Sequence, residues 1–95
     1  VCGDVTLDKE KRMVYVHGEP VDTTYKEFEL LTLLMKNHGI VISREIIMER
    51  VWESSFEGES RTIDVHVRSL RLKLGESGAL IKTIRNVGYM IDAKA

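Results

Sequence analysis

The sequence predicts an α+β fold, with a short antiparallel sheet first, three helices in the middle and a β-hairpin at the end. Residues 4–8 and 13–17 alternate between apolar and polar side chains. Three segments, 24–38, 44–52 and 61–74, repeat apolar side chains at helical spacing, and residues 80–91 return to β-branched runs around a turn. The 95 residues, 43% of them hydrophobic, suffice for one small domain with a single core. We therefore expect a single domain over residues 1–95.

The N-terminal strands are indicated by alternation. Residues 4–8 and 13–17 each alternate β-branched or aromatic residues with polar ones, and the charged cluster 9–12 between them reads as a turn. A second turn at 17–20 leads to a third short strand at 21–22. These segments predict a small antiparallel sheet.

The first helix is predicted from its two ends. Thr24 and Glu27 fit the capping box, in which a Thr caps the helix and a Glu three residues later reaches back. The helix should run to about His38, with Gly39 as the C-terminal stop. Residues 40–42 are too few for a helix and are expected to cross back as a strand. The apolar stripe expected in the core is Phe28, Leu31, Leu34 and Met35.

The second helix is expected to begin after Ser43, which can serve as its N-cap. It should run from Arg44 to about Trp52. A polar and acidic loop then occupies residues 53–60.

The third helix is predicted over residues 61–74, ending at Gly75, and a turn is expected at 76–78. Residues 80–91 should form two strands around the tight turn 86–88. A helix pair followed by a hairpin is a winged helix-turn-helix arrangement.

Charge is distributed unevenly along the chain. The formal net charge is only −1, but residues 61–95 carry seven basic and three acidic side chains, while residues 1–60 carry an acidic excess. A basic end on a nearly neutral chain suits a polyanionic partner at that end.

The third helix has two contrasting faces when its residues are placed about 100° apart. The aliphatic residues share one face, which should be core. Cationic, hydroxyl and small apolar residues share the other face, a mixture typical of helices that read the major groove; a solvated basic face is the alternative. The core stripe is Ile63, Val67, Leu70 and Leu74. The outward face holds Arg61, Val65, Arg68, Ser69 and Leu72, with Asp64 and Arg71 at one edge and Thr62, His66 and Lys73 at the other.

The hairpin adds cations close to its turn. Lys82, Thr83 and Arg85 cluster there, and an Arg near a wing tip can enter the negative minor groove. The alternative is an exposed edge strand, where Lys and Arg are common.

Several motifs together resemble the OmpR/PhoB effector domain of two-component response regulators. The similarity covers nearly the whole chain in register, and its most specific segments are 61–66 and 85–89. The motifs stand at 24–31, 43–45, 51–52, 61–67, 70–74 and 84–89.

The resemblance implies a bacterial, cytoplasmic transcription regulator. It implies a winged helix-turn-helix with a four-stranded N-terminal sheet, which binds promoter DNA as tandem pairs on direct repeats. The third helix would lie in the major groove and the wing in the minor groove. A receiver domain would precede this chain, which would be a C-terminal fragment.

The resemblance also implies roles for individual residues. Phosphate contacts would come from Trp52, Arg61, Thr62, His66 and Arg71. Lys73, which lies on the same edge of the third helix as His66, is assigned to this group as well. Base contacts would come from Asp64, Val65, Arg68 and Ser69, and wing contacts from Thr83 and Arg85. The loop that meets RNA polymerase would present Glu53, Phe56, Glu57 and Glu59.

Three positions depart from the family pattern. Tyr25 replaces a common Pro at the first position of the first helix, a change that should affect the helix start but not DNA contact. Leu72 stands where a Lys or Arg is frequent, which removes one backbone contact and points an apolar side chain outward. Asn86 replaces a frequent Gly at the wing turn, and Asn tolerates the positive φ that such a turn requires.

Other functions are less well supported. The spacings of the three histidines and the single Cys2 match no metal-ligand pattern, and we expect neither a metal, a cofactor nor an enzyme. No apolar run is long enough to cross a membrane, and we expect the isolated domain to be a monomer. The competing interpretation is a winged-helix module that binds another protein. The outward arginines favour DNA over that interpretation.

Overall fold

A computed structural model describes residues 4–52 and 61–92 of the chain. The described elements follow the predicted order of strands, helices and hairpin. They are β1 (Val5–Asp8), β2 (Met13–Val16), β3 (Glu19–Val21), α1 (Tyr25–Lys36), β4 (Ile42–Ser43), α2 (Arg44–Val51), α3 (Arg61–Leu74), a 3₁₀ helix (Gly75–Leu80), β5 (Ile81–Ile84) and β6 (Gly88–Ile91).

The strands form two three-stranded antiparallel sheets. The first has the order β1-β2-β3 and the second the order β4-β6-β5. The expectation of four strands in the N-terminal sheet is therefore wrong for the described residues, since the fourth described strand joins the hairpin instead. Ile42 pairs with Tyr89 and Ser43 with Gly88. A Cβ at Gly88 would overlap the Ile42 carbonyl, so this close approach requires glycine.

Both predicted helix caps are present. The Glu27 amide donates to Thr24 Oγ1 (3.2 Å), and the Thr24 amide donates to Glu27 Oε1 (2.9 Å), which completes the capping box. Ser43 Oγ likewise accepts from the Ile46 amide (3.2 Å) at the start of α2. The end of α1 comes at Lys36, two residues before the expected end.

The predicted apolar stripes meet in one core. The stripe of α3 is almost completely buried, at 0–3% exposure, and packs with the buried stripe of α1. The expected turn at 76–78 is instead part of the 3₁₀ helix 75–80. That helix lies so close to α3 that a Cβ at Gly78 would overlap the Arg71 backbone. Within the described part of the chain, no helix combines the length and apolarity that crossing a membrane requires.

Candidate nucleic-acid interface

The outward face of α3 carries a strip of exposed residues at the spacing i, i+3, i+7. Val65 is 60% exposed and Leu72 is 76% exposed, with the exposed Arg68 between them. No other side chain in 4–52 or 63–92 forms an ion pair with Arg68. We call Val65, Arg68 and Leu72 the outward strip. It offers one cation and two apolar side chains to a partner.

One edge of α3 is attached to α1 through a buried carboxylate. Glu27 is only 3% exposed. Its Oε1 accepts from Lys73 Nζ (2.6 Å) and its Oε2 from Ser69 Oγ (2.6 Å), while the Thr24 amide also donates to Oε1. Ser69 and Lys73 are thus turned towards α1 and do not project with the outward strip.

The pKa of Glu27 reflects these contacts. Burial raises it, but the hydrogen bonds from Lys73, Ser69 and the Thr24 backbone, together with the positive charge of Lys73, lower it by more. The pKa of Glu27 therefore lies below its ordinary value, and the carboxylate is ionised at neutral pH.

The opposite edge of α3 is attached to α2 and the hairpin. Asp64 Oδ1 accepts from Arg44 Nη1 (2.9 Å) and from the hydroxyl of Tyr89. Tyr89 is buried at 4% exposure. Burial and the hydrogen bond to the Asp64 carboxylate raise the pKa of Tyr89 above its ordinary value. The Asp64 side chain is therefore already held by α2 and β6.

Arg71 extends the same edge towards the wing. Its Nη2 donates to the Ile81 carbonyl (2.7 Å) and to Thr83 Oγ1 (2.7 Å), and its Nε also donates to the Ile81 carbonyl (3.2 Å). Arg71 and Thr83, which the sequence assigned to separate phosphate and wing groups, are thus in direct contact. This contact fixes the position of β5 relative to α3.

Trp52 lies at the C-terminal end of α2, where it is half-buried. Its ring meets the His66 ring edge-to-face, with centroids 5.0 Å apart. The Lys26 ammonium donates to the Val51 carbonyl (2.9 Å) and lies 5.8 Å from the centroid of the Trp52 ring. Two residues with predicted phosphate contacts, Trp52 and His66, therefore share one edge of the surface.

The wing has the predicted turn. Asn86 adopts a positive φ of 65°, and the Val87 amide donates to the Ile84 carbonyl (3.0 Å) to close the turn. Arg85 is exposed in this turn. The wing thus displays a cation at its tip, as the sequence indicated.

Some predicted site residues lie outside the described residues. These are the side chains of Arg61 and Thr62 and the predicted polymerase-contact loop with Glu53, Phe56, Glu57 and Glu59. Conversely, sequence reasoning missed Glu27, Arg44 and Tyr89 as partners of α3. The capping box already explains a Glu at position 27, so nothing in the neighbouring sequence indicated that Glu27 also accepts hydrogen bonds from Ser69 and Lys73 of α3.

Comparison with known proteins identifies the family. The family model described as "Transcriptional regulatory protein, C terminal" matches residues 18–91. The chain belongs to this family. The family consists of DNA-binding transcription regulators and not of enzymes. The domain is a DNA-binding output domain of the OmpR/PhoB response-regulator type.

Relatives and solved structures agree with this assignment. The domain is 41% identical over 94 residues to the sensory transduction protein RegX3 of Mycolicibacterium smegmatis, covering 96% of this chain and 41% of that protein. The Klebsiella pneumoniae RstA DNA-binding domain, solved in complex with the RstA box, matches with a TM-score of 0.89 and 29% identity, covering 99% of this chain and 96% of that one.

A third match is the response regulator DrrB of Thermotoga maritima, described as an OmpR/PhoB homologue. It has a TM-score of 0.83 and 32% identity, covering 95% of this chain and 42% of that one. The domain spans about two fifths of the length of the curated relatives it matches.

Proposed function

We propose that this domain binds double-stranded promoter DNA with α3 in the major groove and the β5–β6 wing in the minor groove. The outward strip carries this proposal, because it is an exposed face of a helix whose two edges are attached to the rest of the domain. A helix held at both edges presents its outer face in a fixed orientation, which base reading requires.

The outward strip supplies the base contacts in this proposal. Arg68 can donate two hydrogen bonds to the O6 and N7 atoms of a guanine, and Val65 can contact a thymine methyl group. Asp64 and Ser69 already form hydrogen bonds within the domain, but each keeps sites for a further bond to a base. An ionised carboxylate has about four lone-pair sites, and a hydroxyl accepts as well as donates. The predicted roles of these four residues on DNA are therefore not equal.

Phosphate contacts are assigned to residues at the edges of α3. Arg71 is held beside β5 but carries five guanidinium donors, so that a donor can serve a phosphate without releasing the Ile81 carbonyl. Trp52 and His66 are placed at the other edge, and Arg61 and Thr62 belong to the first turn of α3. Thr83 and Arg85 serve the wing, where a negative minor groove attracts cations.

The wider context is also a proposal. We infer that the domain acts in the bacterial cytoplasm, follows a receiver domain in the full-length protein and pairs in tandem on direct repeats. The loop that contains Glu57 would meet RNA polymerase, because its acidic residues would be repelled by phosphates. The supporting facts are the family membership and the RstA complex with its DNA box.

Arg68→Ala tests the groove assignment. Sites selected from random duplexes should lose preference at the guanine that Arg68 reads, and specific affinity should fall by ~1–3 kcal/mol at fixed salt. Fluorescence anisotropy with the selected duplex and a scrambled duplex gives both quantities. Lys9→Ala, at an exposed turn of the N-terminal sheet, removes the same charge and should preserve the preference. Unchanged site preference in Arg68→Ala would show that Arg68 does not read bases.

A protein-interaction module remains the second candidate function, because Val65 and Leu72 expose apolar side chains on the same strip. Salt dependence separates the two candidates. Each phosphate contact should steepen the fall of log affinity with log salt by ~0.9, whereas apolar burial against a protein gives a nearly flat dependence.

A further inference from the structure

The contact between Glu27 and Lys73 has a consequence for DNA recognition beyond holding the helix. We propose that Glu27 is a positioning residue that withholds the Lys73 charge from DNA phosphates. As a result, α3 distinguishes one DNA sequence from another through its outward strip. This inference rests on the proposed function, with α3 in the major groove. It changes the role of Lys73 from a phosphate contact to a neutralised residue of the scaffold.

The first support is the saturation of the carboxylate. Glu27 receives the Lys73 ammonium and the Thr24 amide on Oε1 and the Ser69 hydroxyl on Oε2, at 2.6–2.9 Å. Its donors come from α3 and from the N-cap residue of α1, and Lys73 is the charged one among them. Among the described residues no other cationic side chain forms an ion pair with Glu27, so Lys73 compensates its charge.

The second support is the difference in burial between the two partners. The Glu27 side chain is 4% exposed and the Lys73 side chain is 34% exposed. If the Lys73 ammonium left Glu27 to neutralise a phosphate, Glu27 would stay ionised and without a countercharge in the interior. The uncompensated buried charge costs more than a contact in high dielectric returns. The ion pair should therefore persist in the DNA complex.

The third support is the second contact of the same carboxylate. Ser69 lies one turn before Lys73 on the same edge of α3, and both donate to Glu27. Two attachments four residues apart fix the rotation of α3 about its axis as well as its distance from α1. Rotation decides which residues face the groove, so Glu27 acts on specificity through the orientation of Val65 and Arg68.

Glu27→Gln is the variant that tests this proposal. Glutamine preserves the shape and can still accept from the Thr24 amide and donate to Ser69, but it removes the charge that holds Lys73. On scrambled duplexes the released Lys73 should steepen the salt slope by ~0.9, which raises non-specific affinity about eightfold at 0.1 M salt relative to the 1 M reference. The ratio of specific to non-specific affinity should fall.

Two control variants isolate the effect. Glu49→Gln removes an exposed acid on α2 and makes the same change in net charge, and its salt slope should stay at the parent value. The double variant Glu27→Gln/Lys73→Met should return to the parent slope, because the released charge is gone. A Glu27→Gln slope equal to that of Glu49→Gln, or a double variant that keeps the steeper slope, would overturn the proposal.

A measurement on the unaltered chain guards against loss of folding in the variants. Lys73 should be acetylated slowly by a water-soluble ester, and equally slowly with and without duplex DNA, while the exposed Lys36 reacts quickly in both. Fast acetylation of Lys73 that DNA suppresses would refute the proposal. If the unaltered domain showed no salt-dependent affinity for any duplex, the proposed function would fail instead.

Discussion

The two edges of α3 are each held by a carboxylate, but in opposite ways. At the α1 edge the carboxylate belongs to the scaffold, as Glu27, and receives Ser69 and Lys73 from the helix. At the hairpin edge the carboxylate belongs to the helix, as Asp64, and receives Arg44 and Tyr89 from the scaffold. The α1 edge is thus a contact into the interior and the hairpin edge a contact along the surface.

Burial separates the two edges energetically. The Glu27 side chain is 4% exposed, whereas the Asp64 side chain is 46% exposed. An ion pair near the surface is screened by water and contributes little, while a buried carboxylate without its countercharge is strongly destabilising. The α1 edge should therefore contribute more than the hairpin edge to holding α3 in place.

The largest expected effect comes from breaking the α1 edge. Lys73→Met leaves Glu27 buried and ionised without its countercharge, and it should lower the free energy of unfolding by about 3 kcal/mol at pH 7. Urea denaturation followed by circular dichroism measures this. Lys9→Met, in an exposed turn, is the matched control and should change stability by less than about 0.5 kcal/mol. Equal stability of the two variants would remove the distinction between the edges.

A smaller effect should follow from weakening the hairpin edge. Tyr89→Phe removes the hydroxyl that donates to Asp64 but keeps the buried ring, so no cavity forms. The expected loss is about 1.5 kcal/mol, the lower end of the range for a hydrogen bond to a charged group. Tyr25→Phe is the control, since Tyr25 is 63% exposed. A loss in Tyr89→Phe as large as that in Lys73→Met would contradict the ranking of the two edges.

The smallest effects should appear at the ends of the pH range, with opposite signs at the two edges. Glu27 has a lowered pKa in the folded state, so its stabilisation is complete above about 4.5, its value in the unfolded chain, and is lost as the pH falls through the folded pKa. Tyr89 has a raised pKa, so its stabilisation is complete below about 10.0 and is lost as the pH rises through the folded pKa.

Thermal unfolding across pH checks this opposition. Glu27→Gln should abolish part of the loss of stability at low pH and leave the loss of stability at high pH unchanged. Tyr89→Phe should do the reverse. A variant that altered both limbs equally would show that the two edges do not titrate independently.

Local patterns in the sequence determined much of the fold. The capping box of Thr24 and Glu27, the buried stripe of α3 and the wing turn at Asn86 all stand where the sequence predicted them. Each depends on residues within a few positions of one another, whose spacing sets periodicity, capping or a positive φ. The same patterns placed Val65 and Arg68 on the exposed face of α3.

Which polar groups of α3 are available to a partner depends on how distant segments of the chain pack together. Lys73 lies 46 positions from Glu27, and Tyr89 lies 25 positions from Asp64, so no local periodicity relates either pair. Their contacts follow from packing α3 against α1 on one edge and against the hairpin on the other. The pairing of β4 with β6 was likewise not predictable, because it depends on the space that Gly88 leaves beside the Ile42 carbonyl. Packing brings together residues that are far apart in the sequence, whereas a local sequence pattern relates only residues a few positions apart.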